Sequence, residues 1–149
     1  MFQPWRLPYV CVVAGGASWP IVRVVLARGT PAPSPLFGLT FCQGCISESG
    51  AGTAEIVQGI EEVGHRIFMV HFRTIVGGYL HFREAFVDEG EIDIVATLRA
   101  YQATAPEYML MVPDHFPRIP GDTPWGHQSR AYAIGYIKAL IRATGGEAA

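Results

Sequence analysis

The chain has 149 residues, of which half are hydrophobic and 16% are charged, and this composition excludes an intrinsically disordered protein. Its net charge of −2 argues against a general nucleic-acid binder, which is usually basic. No uninterrupted run of roughly 18 apolar residues occurs, so no membrane-spanning helix is expected. Three cysteines are an odd number and do not suggest a disulfide framework, so we expect a protein of the reducing cytoplasm.

The first part of the chain differs from the rest. Residues 1–35 contain several prolines and three arginines but no acidic residue, and residues 30–35 form a proline-rich cluster that breaks helices and central strands. From residue 36 onwards, short apolar runs alternate with helix-like stretches. We therefore expect an irregular N-terminal segment over residues 1–35 and one α/β unit over residues 36–149.

Three strand-helix units follow one another in this second part. Apolar runs predict strands over residues 37–42, 67–70 and 108–112, and apolar periodicity predicts helices over residues 53–63, 91–103 and 129–144. Thr53 is placed to cap the first helix and Gly64 to end it. A turn is expected over residues 43–52, whereas the pattern of residues 79–88 does not distinguish a strand from a loop. The order is β-α-β-α-β-α.

Each predicted strand is followed by a side chain that can bind a metal. Cys42, His71 and Asp114 stand at or just beyond the three strand ends. Because the carboxyl ends of parallel strands share one face, we expect these side chains to converge. A thiolate, an imidazole and a carboxylate together suit a divalent transition metal. Taken singly, the same residues fit a small buried cysteine, a core histidine and an aspartate that caps a turn.

Three neighbours of these residues have open interpretations. Arg73 is placed to meet a substrate carboxylate or to form a surface ion pair. His115 is placed to act as a general acid or base, or is an exposed loop residue. Cys45 lies three residues after Cys42 but has no second cysteine pair to complete a zinc site, so we interpret it as structural. An acidic run is interpreted as a solvated loop and helix start: Glu84, Asp88, Glu89 and Asp93.

Four stretches carry a resemblance to a known family. Residues 38–42 (GLTFC), 70–73 (VHFR), 113–115 (PDH) and 130–138 (RAYAIGYIK) are similar in sequence, order and spacing to mannonate dehydratases. The resemblance extends over roughly residues 36–143. It implies part of a TIM (β/α)₈ barrel of the xylose-isomerase-like type, comprising about the last three βα units.

The resemblance also implies a chemistry. Mannonate dehydratases are lyases that remove water from D-mannonate to give 2-keto-3-deoxy-D-gluconate with a divalent metal, for which Mn²⁺ is expected here and Fe²⁺ or Mg²⁺ are alternatives. The match implies Cys42, His71 and Asp114 as metal ligands, with His115 as the acid/base and Arg73 at the substrate carboxylate. The expected partner is a small sugar acid, with no nucleic acid or membrane, and a homo-oligomer is possible.

Two departures from the family pattern lead to further expectations. The family has one more histidine ligand on the strand before the cysteine strand, but no histidine precedes His65 here. A complete barrel also needs roughly 250 residues. The hypothesis is a truncated or frame-shifted gene whose product binds metal weakly and has little or no turnover. The alternatives are a non-catalytic or pseudogene product, a chain that pairs with another to complete a barrel, and a xylose-isomerase-like sugar isomerase or epimerase.

Overall fold

A parallel sheet organises the molecule. The computed structural model describes the backbone of residues 10–12 and all of residues 38–145. Its strands are β1 (Val10–Val12), β2 (Leu39–Cys42), β3 (Ile67–His71), β4 (Thr74–Gly78), β5 (His81–Ala85) and β6 (Leu110–Val112). The order β1-β2-β3-β6 forms a four-stranded sheet in which every neighbouring pair is parallel, and β4 and β5 form a separate antiparallel hairpin.

Helices follow β2, β3 and β6 of the sheet. They are α1 (Gln43–Glu48), α2 (Thr53–Val63), α3 (Ile94–Thr104) and α4 (His127–Ala143), with a 3₁₀ turn at Gly64–Arg66. The three predicted strands and three predicted helices are all present, and their bounds differ from the predictions by at most three residues. Several elements were not predicted, among them β1 and β4. The expected turn after β2 contains the short α1, and residues 79–88 contain β5.

The helix ends explain the small differences in bounds. Gly52, not Thr53, is the N-cap of α2, and its N–H donates to Oε2 of Glu55 at 3.1 Å. The predicted cap at Thr53 is therefore wrong, and the Thr53 hydroxyl instead accepts the backbone N–H of Asp93 at 2.9 Å. Asp93 caps α3 by accepting two backbone N–H groups at 3.0 Å, which moves the start of this helix to residue 94.

The core lies between the sheet and helices α2 and α3. Ile56 and Ile60 of α2 are fully buried, and Tyr101 of α3 stacks edge-on against Phe41 of β2 and against Phe72 just after β3, at ring-centroid distances of 6.0 and 6.3 Å. Such edge-to-face contacts are favourable beyond the apolar area they bury. At the far side of the sheet, β6 pairs only with β3 among the described residues, and Leu110 is 53% exposed there.

The predicted α/β class is confirmed. The expectation of an irregular segment over residues 1–35 falls mostly outside the described residues. Within that segment, Val10–Val12 forms a strand that pairs with Leu39–Phe41 in parallel register. Among the described helices, none combines the length and the apolar character needed to cross a lipid bilayer.

Candidate metal centre

The register of the parallel strands places the three candidate ligands at the same edge of the sheet. Cys42 of β2 lies directly opposite His71 of β3, and His71 lies directly opposite Val112 of β6. Asp114 follows two residues after Val112. Since all three strands run in the same direction, their carboxyl ends meet at one edge of the sheet. The sequence expectation that Cys42, His71 and Asp114 share this edge agrees with the fold.

The ligand atoms of these three side chains cluster tightly. One donor atom from each of Cys42, His71 and Asp114 lies within 4.8 Å of the others. Nδ1 of His71 is 3.3 Å from Oδ2 of Asp114. Asp114 adopts φ 59°, a left-handed conformation that an aspartate tolerates better than most residues. Cys42 is 4% exposed, whereas the side chains of His71 and Asp114 are 26% and 21% exposed, so the cluster opens towards solvent on one side.

The two cysteines at this edge of the sheet interact with each other. Cys42 is the N-cap of α1, and its Sγ accepts the backbone N–H of Cys45 at 3.4 Å. The hydrogen bond with the Cys45 thiol and burial raise the pKa of Cys42. The same hydrogen bond and the guanidinium of Arg73 lower the pKa of Cys45. A bound cation would favour the Cys42 thiolate, because coordination deprotonates a thiol.

The donor set fits a divalent transition metal. One sulfur, one imidazole nitrogen and one carboxylate oxygen are the mix that borderline ions such as Mn²⁺, Fe²⁺ and Zn²⁺ accept. Three protein ligands are also the number found in catalytic sites, which leave a position for water or substrate. Cys42, His71 and Asp114 could therefore hold such an ion. Their role as ligands stays a prediction.

Arg73 lies beside the cluster and is 5% exposed. Its Nη1 donates to both carboxylate oxygens of Glu84 at 3.0 and 3.1 Å, and its Nη2 donates to Glu48 and, at 3.2 Å, to Sγ of Cys45. Its Nε lies 3.4 Å from Oδ2 of Asp114. Contact between Arg73 and a substrate carboxylate stays a prediction, but the protein itself supplies acceptors around the guanidinium.

Sequence reasoning missed two acidic partners of this arginine. The interpretation of Glu84 as part of a solvated run is wrong, since β5 places it against Arg73. Glu48 was not identified as a partner of Arg73 because the helix α1 that contains it was not predicted. A buried arginine requires acidic partners, but only tertiary structure could identify them. Two other members of the acidic run also have partners, Asp93 as the cap of α3 and Asp88 as acceptor from the Tyr132 hydroxyl at 2.9 Å.

His115 lies at the open side of the cluster. Its side chain is 65% exposed, and its Nε2 is 3.6 Å from Oδ2 of Asp114. An imidazole in this position can reach a molecule bound at the cluster and can exchange protons with solvent. Its predicted role as acid/base is compatible with this placement and stays a prediction.

Comparisons with known proteins agree with the motifs at this site. The sequence model of the family "D-mannonate dehydratase (UxuA)" matches residues 29–148, a range that includes the cluster, Arg73 and His115. The chain belongs to the D-mannonate dehydratase family. The resemblance identified from the short motifs is thereby confirmed.

Two relatives in the D-mannonate dehydratase family illustrate the extent of the match. The mannonate dehydratase of Enterococcus faecalis is 32% identical over 120 residues, covering 74% of this chain and 32% of that protein. The crystal structure of mannonate dehydratase from Streptococcus suis has a similar fold, with a TM-score of 0.63 at 24% identity, over 87% of this chain and 38% of that one. The chain therefore spans about a third of the length of these relatives.

Proposed function

We propose that this chain is the metal-binding portion of a D-mannonate dehydratase, a hydro-lyase that converts D-mannonate to 2-keto-3-deoxy-D-gluconate and water. The observation that carries the proposal is the cluster of Cys42, His71 and Asp114, whose donor atoms lie within 4.8 Å of one another. Membership of the family supplies the reaction and the substrate. The four parallel strands are proposed to form part of a (β/α)₈ barrel, whose strand ends carry the chemistry.

The metal would be held by Cys42, His71 and Asp114, with Mn²⁺ expected and Fe²⁺ or Mg²⁺ as alternatives. When bound, such an ion supplies Lewis-acid stabilisation of the negative charge that develops on the substrate carboxylate. Burial of Cys42 excludes water from one side of the cluster, and the exposure of His71 and Asp114 leaves the other side open to a substrate.

The reaction requires loss of the proton at C2 and departure of the hydroxyl at C3. The resulting enol takes a proton at C3 and loses the proton of its C2 hydroxyl to give the 2-keto product, so two protons are lost and two are gained, one at C3 and one on the departing hydroxyl. His115 is proposed to donate a proton to the departing hydroxyl so that it leaves as water. Its imidazole is suited to this step because it is exposed at the open side of the cluster and its Nε2 lies 3.6 Å from Oδ2 of Asp114.

Complementation tests the proposal. The upstream portion of the Enterococcus faecalis mannonate dehydratase, supplied as a separate chain, is expected to restore Mn²⁺-dependent dehydration of D-mannonate, measured as formation of the 2-keto acid. Cys42→Ala, His71→Ala and Asp114→Ala should each abolish it. His81→Ala is the matched control, since it removes an exposed imidazole on the hairpin and should leave activity unchanged.

Two outcomes would contradict the proposal. One is a complemented complex that binds Mn²⁺ normally but forms no 2-keto acid. The other is activity that survives all three ligand substitutions. Assaying aldose isomerisation on the same complex separates the dehydratase from a xylose-isomerase-like enzyme, because an isomerase would act on neutral sugars.

A further inference from the structure

The guanidinium of Arg73 connects three parts of the molecule. Through Nη1 it binds Glu84 of β5, and through Nη2 it binds Glu48 and Cys45 of α1. Its Nε has no hydrogen bond among the described residues, but it forms an ion-pair contact with Oδ2 of Asp114 at 3.4 Å. An arginine has five N–H groups in a rigid plane. Here both Nη atoms donate hydrogen bonds to protein atoms near the candidate metal centre, and Nε lies beside the Asp114 carboxylate.

Acidic side chains surround the buried guanidinium of Arg73 and stabilise its positive charge. Arg73 is 5% exposed, and its guanidinium forms ion pairs with the carboxylates of Glu48 and Glu84. The side chains of Glu48 and Glu84 are 17% and 25% exposed, so these carboxylates are themselves partly removed from water. Such a buried network is favourable only while every member has its partner.

The absence of a side chain at Gly44 leaves space for the Arg73 side chain. A Cβ on Gly44 would lie 2.7 Å from Cγ and 2.9 Å from Nε and Cζ of Arg73. Any larger residue at position 44 would therefore displace the guanidinium. The preceding residue is held as well, since the Gln43 amide donates to the Arg73 carbonyl at 3.2 Å. The segment that follows Cys42 thus packs directly around Arg73.

We propose that Arg73 is a positioning residue of the metal centre: its guanidinium orients the Asp114 carboxylate and the start of α1, and its ion pair with Glu84 ties the hairpin to that centre. This inference rests on the proposed function, because it presupposes a metal at Cys42, His71 and Asp114. It assigns Arg73 a role different from contact with the substrate carboxylate. A group that holds a ligand in place typically changes metal affinity by about 10- to 100-fold when it is mutated.

Co²⁺ alone is a suitable probe, because its absorption reports both thiolate coordination and geometry. The wild-type chain is expected to show a thiolate-to-cobalt charge-transfer band that Cys42→Ala lacks. Arg73→Lys keeps the charge but loses the planar fork. It should weaken Co²⁺ binding by about 10- to 100-fold and shift the ligand-field bands at saturating Co²⁺. A purely structural role would change the melting temperature but not the spectrum of the saturated protein.

Two further variants keep the test decisive if Arg73→Lys does not fold. Gly44→Ala displaces the guanidinium without altering any charge, and Glu84→Gln removes only the link to the hairpin. Each should weaken Co²⁺ binding by about tenfold, in the same direction as Arg73→Lys. Arg83→Lys is the matched control, because Arg83 is exposed on the same hairpin. The Co²⁺ spectrum and Co²⁺ affinity of this variant should equal those of the wild type.

The outcomes separate this inference from the proposed function. Wild-type spectra and affinities in folded Arg73→Lys, or in both Gly44→Ala and Glu84→Gln, would overturn the positioning role and leave the metal centre intact. A wild-type chain without the charge-transfer band would overturn the metal centre itself and the positioning role with it.

Discussion

The parallel sheet and the β4–β5 hairpin differ in how much apolar side-chain burial stabilises them. In the sheet, Leu39, Phe41 and Val70 are at most 4% exposed and pack against α2 and α3. In the hairpin, the residues at and near the tip are far more exposed, with Tyr79 at 64%, Leu80 at 85% and Phe82 at 42%. Apolar burial accounts for the order of the sheet but not for that of the outer hairpin.

The hairpin is anchored at its base. Thr74, Ile75 and Ala85 are at most 2% exposed, and Glu84 reaches the buried Arg73. One small buried base and one ion network therefore hold an otherwise exposed element beside the candidate metal centre. Substitutions should therefore be costly in the sheet core, intermediate at the hairpin base and mild or even stabilising at the tip.

The largest effect is expected in the core beneath the sheet. Ile60→Ala removes a fully buried side chain of α2 and leaves a cavity, so it should lower the free energy of unfolding by about 2–5 kcal/mol. Ile134→Ala on α4 is the matched control, because Ile134 is 46% exposed and its truncation should cost roughly 0.5 kcal/mol or less. Urea denaturation followed by circular dichroism measures both. Equal losses would contradict the assignment of the core.

An intermediate effect is expected at the base of the hairpin. A Cβ on Gly90 would lie 1.8 Å from Oγ1 of Thr74, which is itself 1% exposed, so Gly90→Ala must displace β4. We expect a loss of about 1–3 kcal/mol in the free energy of unfolding. Gly78→Ala, in the same hairpin, meets no atom within 4 Å and should change little. Equal melting temperatures for the two variants would contradict close packing between Gly90 and Thr74.

The smallest effect, with the opposite sign, is expected at the tip. Leu80 has φ 68°, a left-handed conformation that costs a leucine about 1–2 kcal/mol, and its exposure means that little apolar burial is lost on substitution. Leu80→Gly should therefore raise the free energy of unfolding by up to about 1 kcal/mol. Tyr79→Gly, at a neighbouring exposed position without positive φ, should lower it. A destabilised Leu80→Gly variant would indicate that the tip is held by packing.

The amino-acid sequence was sufficient to predict the parallel α/β unit, three of its helices and the convergence of Cys42, His71 and Asp114. The reason is local: strand-length apolar runs and helical periodicity are visible in the chain, and parallel strands place their carboxyl ends together. The family was likewise accessible from four short motifs, because they surround those same strand ends.

Tertiary structure alone decided the partners of Arg73 and the form of residues 79–88. Glu48 and Glu84 are 25 and 11 residues away from Arg73 in sequence, and nothing in a one-dimensional pattern pairs them with it. The hairpin escaped prediction because its outer half is exposed and lacks the alternation that burial of one face imposes. Even α1 depends on a non-obvious cap, the Cys42 thiol. Contacts made across the fold, not local propensity, therefore determine how the candidate centre is held.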